Sequence, residues 1–340
     1  MRKRTLTAAL LMLLPTMAHA GQVSLIALVL DEGNASAMLE ATSQRYVDAM
    51  QRIVQTRWQE EYTARRWETL EAAMADTPVA RLEYRVSAGG SPVRLYHGMG
   101  GPPLGTVAKE ALGGPTPPPS PTSLSIDDPW DSASDPEAIS ASRASYQAQD
   151  AEDAGMHAPD DGLHVRARMR AVDGSVLHPY EIDGSDRALD AEFKVLAELE
   201  HDLRSGAIPK GGSAALLIST ETCNSCDYAF RAISRHYGID LHVTRIVSSI
   251  PPAERTRLIA EGRARMRGTR LVDAASGRPL LATDALASGR ESQVRQALSP
   301  RAMNRRFRHV TWEPRTFRLA TPAETRSQGA GEDDRQGPDC

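Results

Sequence analysis

The spacing of apolar positions divides the chain into two patterned stretches with an unpatterned one between them. In the first, Val23 to Leu30 is a short apolar run that predicts a strand. Leu39, Tyr46, Met50, Ile53, Trp58, Tyr62 and Leu70 then recur at roughly helical spacing. They predict one long helix, capped by Asn34 and running to about Ala75. Arg81 to Val86 and Val93 to Tyr96 predict a hairpin with Gly89 and Gly90 at its turn. From Gly98 the pattern stops. Gly100, Gly101, Pro102 and Pro103 open a segment that is dense in proline from Pro115 to Pro121 and acidic and Ser/Ala-rich afterwards. Such sequence predicts a linker without a core of its own.

The pattern resumes near Leu163. Val165 to Val172 and Val176 to Ile182 predict two strands about the turn Asp173-Gly174. Leu189, Phe193, Leu196, Leu199 and Leu203 form the stripe of a helix from about Asp190 to Arg204. An apolar strand from Ala214 to Ser219, a helix from Tyr228 to Tyr237 ended by Gly238, and a strand from Ile239 to Val247 follow. This alternation predicts an α/β fold, a three-layer α/β/α sandwich around a mixed sheet. The expected organisation is a leader at 1–20, an N-terminal module with a long helix at 21–98, and a linker at 99–162. A catalytic domain with an Arg-rich extension follows at 163–320, then a polar, disordered tail at 321–340.

The leader reading rests on Arg2, Lys3 and Arg4, the apolar run Leu6 to Leu14, Pro15, and Ala18-His19-Ala20, the small-x-small form that a signal peptidase cleaves. It predicts export, to the periplasm or beyond, with cleavage after Ala20. No later stretch is apolar enough to cross a membrane, so no transmembrane segment is expected in the mature chain. Net charge is −4, but acidic residues crowd Pro129 to Asp161 and arginines crowd Arg255 to Arg318. The arginine block suits an anionic partner such as nucleic acid, although a solvated face is the simpler reading. The three cysteines are Cys223, Cys226 and Cys340, too few for a disulfide framework. In an oxidising compartment Cys223 and Cys226 form a metal site, a redox pair or a short disulfide.

Cys223-Asn224-Ser225-Cys226 opens a helix after a strand, where two thiolates can chelate one metal and the helix N-terminus favours their charge. Asp190 opens the preceding helix, with Glu192 two residues on. Asp190, Cys223 and Cys226 as three ligands leave one tetrahedral position open, the layout of a catalytic zinc. Glu192 then stands beside the metal to move a proton.

The runs Asp190-Ala191-Glu192-Phe193-Lys194 and Thr220-Glu221-Thr222-Cys223-Asn224-Ser225-Cys226 resemble the cytidine deaminase-like superfamily, most closely the deaminase domains of bacterial secreted toxins and effectors. The resemblance covers about Arg166 to Val247. It implies a deaminase-like domain with Zn2+ held by Asp190, Cys223 and Cys226, and Glu192 as proton shuttle. It further implies a nucleotide or nucleic-acid substrate and an immunity protein as partner. Asp190 stands where most of the superfamily has His, and Thr222 where Pro is usual. The same strand–Cys-x-x-Cys–helix order also resembles thioredoxin, with Cys223 as nucleophile and Cys226 as resolving thiol. A non-catalytic binding protein with a structural disulfide is the third class.

Overall fold

The structure, a computed structural model, describes residues 21–31, 34–58, 64–86, 92–113, 136–171, 173–178, 181–182, 185–222 and 224–303. The chain begins with strand β1 (Val23–Leu28), helices α1 (Ala35–Arg57) and α2 (Ala64–Asp76), strands β2 (Val79–Arg85) and β3 (Arg94–Met99), and helix α3 (Leu104–Leu112). Helix α4 (Pro136–Glu152), strand β4 (His164–Arg166) and the two-residue strands β5 (Glu181–Ile182) and β6 (Ser185–Asp186) follow. Next come α5 (Ala191–Ser205), β7 (Ser213–Ile218), α6 (Asn224–Tyr237) and β8 (Asp240–Ile246). The described part closes with α7 (Pro252–Ala260), β9 (Ala264–Arg267), β10 (Arg270–Asp273) and α8 (Ala282–Leu298).

One mixed sheet organises the molecule, in the order β1-β8-β7-β2-β3-β4. Only β2 runs against its neighbours; β1, β8 and β7 are mutually parallel, as are β3 and β4. Strand residues alternate between the two faces. Ala80, Leu82 and Tyr84 of β2, with Leu216 and Ile218 of β7, pack beneath α5 and α6, against Leu196, Leu199, Phe230 and Ile233. Val79, Leu217 and Ile246 turn to the other face, where α1, α2, α3 and α8 cover them through Leu39, Met50, Ile53, Met74, Leu112 and Val294. The result is an α/β fold with helices on both faces of the sheet.

Several expectations change. The boundary drawn between 98 and 163 does not separate two folding units. β2 and β3 lie between β7 and β4, and Tyr84 and Tyr96 share one core with Phe193 and Phe230. Local pattern revealed the hairpin but not which strand it would pair with. The segment 99–162 is not all linker either: α3 buries Leu104, Ala108 and Leu112, and α4 packs beside it. Asp153, just past α4, is fully buried because Gly105 N–H and Arg57 Nη1 both donate to it at 2.7 Å. The proline-dense run Pro115 to Pro121 lies outside the described residues.

Among the described residues the hairpin expected over 165–182 does not form. β4 ends at Arg166, and the chain beyond finds carboxylates instead of a strand partner. Arg168 N–H donates to Glu198 Oε2 at 3.2 Å, Met169 N–H to Asp150 Oδ2 at 3.2 Å, and Val176 N–H to Glu200 Oε1 at 2.8 Å. The turn at Asp173-Gly174 forms, with Gly174 at φ +68°. The single long helix is two, α1 and α2. Asn34 precedes α1 without a side-chain cap bond, and Asp31 takes that role, accepting from Ser36 N at 3.1 Å and Ser36 Oγ at 2.6 Å.

Candidate metal centre

Two helix starts meet at the carboxyl edge of β3 and β7. α6 follows β7 directly, which places its first turn, with Cys226, at that edge. α5 lies across β2 and β3, and Gly98 permits the approach. A Cβ there would stand 2.6 Å from the Ala191 carbonyl oxygen and 2.7 Å from Val195 Cγ1. The chain leaving β3 is tied to the same helix: Gly101 N–H donates to Leu189 O at 2.9 Å, and Lys194 Nζ donates to Met99 O at 2.9 Å and Gly101 O at 2.7 Å. The single turn Arg187–Leu189 delivers Asp190. Asp186 caps it by accepting from Ala188 N at 2.9 Å, and Arg143 of α4 grips both Asp186 oxygens at 2.6 and 2.7 Å.

Asp190 has extended backbone (φ −65°, ψ 141°) and precedes α5 without capping it. Cys226 Sγ lies 3.2 Å from Glu192 Oε1 and 3.6 Å from Asp190 Oδ2. Ligand atoms of Asp190, Glu192 and Cys226 all fall within 4.8 Å of one another. Glu192 and Cys226 are buried, at 5% and 1% exposure, while Asp190 is half-buried with Arg187 Nη1 at 3.7 Å.

Burial pushes the Glu192 carboxyl above the usual carboxylate range, and the charge of Asp190 adds to the shift; the Cys226 contact and Arg187 act against it. Two carboxylates and a thiol gathered this closely repel one another when ionised, and a cation among them removes that cost. Both helix N-termini add positive potential. A donor set of one sulfur and carboxylate oxygens in a buried corner therefore fits a metal ion.

Three of the four residues expected at the site are thus brought together, on the same face of the sheet. Cys223 lies outside the described residues. Sequence reasoning missed Arg143, Asp186 and the tether through Lys194. Of these only Lys194 carried a signal, as the residue that closes the Asp-x-Glu-x-Lys run.

The fold and the site define an α/β protein with a candidate metal centre at the carboxyl edge of its sheet. No family model, no curated protein and no solved structure matches the chain. Among the described residues no helix is long and apolar enough to cross a membrane.

Proposed function

We propose that this chain is an exported zinc-dependent deaminase that acts on a nucleobase in a nucleotide or nucleic acid. The observation that carries the reading is the meeting of Asp190, Glu192 and Cys226 at the starts of two helices on either side of β7 in sequence. That order of a carboxylate pair on one helix start, a strand, then a cysteine on the next helix start is the order of the motifs that resemble the deaminase-like superfamily. Asp190 and Cys226 would hold the ion, with Cys223 as the third ligand that the resemblance implies. Bound zinc supplies Lewis acidity, lowering the pKa of a coordinated water. Glu192 does the proton work. Its buried carboxylate takes a proton as water adds to the ring carbon that bears the amine, and returns it to the nitrogen that leaves as ammonia. A carboxyl held above its usual pKa suits both halves of that exchange. A secreted enzyme of this kind, used as a toxin or effector, would have a cognate immunity protein as partner.

The test combines metal analysis with one substitution. About one zinc per chain is expected. Glu192→Gln should keep it and lose ammonia release from nucleosides or oligonucleotides by about 10²–10⁴-fold. Loss of zinc from Glu192→Gln would make Glu192 a ligand and not the proton carrier. A zinc-free protein with a reducible Cys223–Cys226 disulfide would replace this reading with the thiol–disulfide one. Export predicts Gly21 as the first residue in mass spectra of the secreted protein; a chain retaining Met1 would refute it.

A further inference from the structure

Among the described residues, strand β1 stands at one margin of the sheet, bonded on one side to β8. Its sequence, Val23-Ser24-Leu25-Ile26-Ala27-Leu28, holds neither a charge nor a proline, the two devices that most simply keep an edge from pairing with another chain. Leu25 is 42% exposed and Ile26 55%, one on each face of the sheet. Between β1 and α6 lies a groove of about 310 Å³, lined by Gly21, Val23, Leu25, Arg231, Ser234 and Arg235. Ser234 is fully buried in that lining, and its Oγ has no hydrogen-bond partner among the described residues. Arg231 and Arg235, one turn apart on α6, are exposed at the rim, and neither pairs with a carboxylate among the described residues.

We propose that this edge and groove receive an extended peptide of a partner protein by strand addition, one whose side chains alternate between apolar and acidic. Its backbone would bond the open side of β1, as a sheet edge allows. Its apolar side chains would cover Ile26 on the face away from α6, and its acidic ones would lie on the face shared by Leu25 and the groove. Carboxylates would meet Arg231 and Arg235, and a polar group would satisfy Ser234 Oγ. A second copy of the chain is a poorer occupant. Joining two β1 edges with α6 on the same face would set each arginine pair against its own counterpart. The inference is independent of the chemistry proposed for the metal centre.

The probe is a blocked hexapeptide alternating valine and aspartate, titrated into the full chain by NMR beside one alternating valine and lysine. The acidic peptide should shift resonances of β1 and α6 and bind about tenfold or more tightly than the basic one. Arg231→Glu with Arg235→Glu, both at exposed positions, should reverse that order. Ile26→Lys should abolish binding of both while leaving the circular dichroism spectrum unchanged. Equal affinity for the two peptides, shifts confined to other elements, or no shift at millimolar peptide would overturn the proposal. So would a concentration-dependent dimer in sedimentation that Ile26→Lys dissociates, since the edge would then belong to a second copy.

Discussion

His97 is held at both ring nitrogens. Thr42 Oγ1 lies 2.9 Å from Nδ1, and His164 Nδ1 lies 2.9 Å from Nε2, with the two imidazoles stacked at 5.2 Å. A neutral His97 satisfies these contacts, whereas a protonated one would place its charge in the core. Burial pushes its pKa down to about 3, with Arg45, Arg81 and His164 adding to the shift. His157, edge-on to Tyr46, is pushed down to about 3 by burial and by Arg166. An unfolded histidine titrates near 6.5. On acidification the unfolded chain therefore binds protons first. The stability that the neutral rings contribute is complete above about pH 6.5 and drains away as pH falls toward 3. Denaturant midpoints measured from pH 7 down to pH 4 should fall for the native chain and fall less for His97→Gln. Parallel curves would refute the assignment. None of this was legible in the sequence, where His97 and His164 are far apart. Asp190, Glu192 and Cys226 were legible, because residues at helix starts announce themselves by local signals that survive folding.

At the scale of elements, the approach of α5 to β3 decides where the metal centre lies. Gly98→Ala would drive a methyl group into the Ala191 carbonyl, at 2.6 Å, and the helix would have to retreat. The expected loss is about 1–3 kcal/mol of unfolding free energy, with weaker metal retention. Unchanged stability and metal content would show that the contact is slack. Helices and strands with strong periodicity were read correctly: α5, α6, β7 and β8 all lie within a few residues of where the apolar spacing put them. The segment after Arg166 was misread for a physical reason. Its residues alternate like a strand, but a strand also needs a neighbouring ladder. Glu198 and Glu200, carried inward on α5, capture its amides first.

At the scale of the whole molecule, the six-stranded sheet is built around β2, which runs against both its neighbours and links β7 to β3. Leu82 and Tyr84 of β2 are fully buried against the half of the chain that carries the metal centre. A fragment of residues 163–340 would open that core and leave β7 with an unpaired edge. Expressed alone, it should show no cooperative thermal transition and poor amide dispersion. A folded, metal-binding fragment would restore the two-unit organisation expected from composition.

What the sequence determined by itself is what depends on near neighbours: the helix and strand periods, the turn at Asp173-Gly174, the αL glycine Gly238 closing α6, and the placement of Asp190, Glu192 and Cys226 at helix starts. Tertiary structure alone decided that β2 and β3 join the later strands, that Arg143 of α4 clamps Asp186, and that Lys194 ties the end of β3 to α5. These are contacts between residues tens of positions apart. They are chosen by which buried polar groups can be satisfied and which apolar faces can be covered once the whole sheet is assembled, and no local window of the chain contains that information.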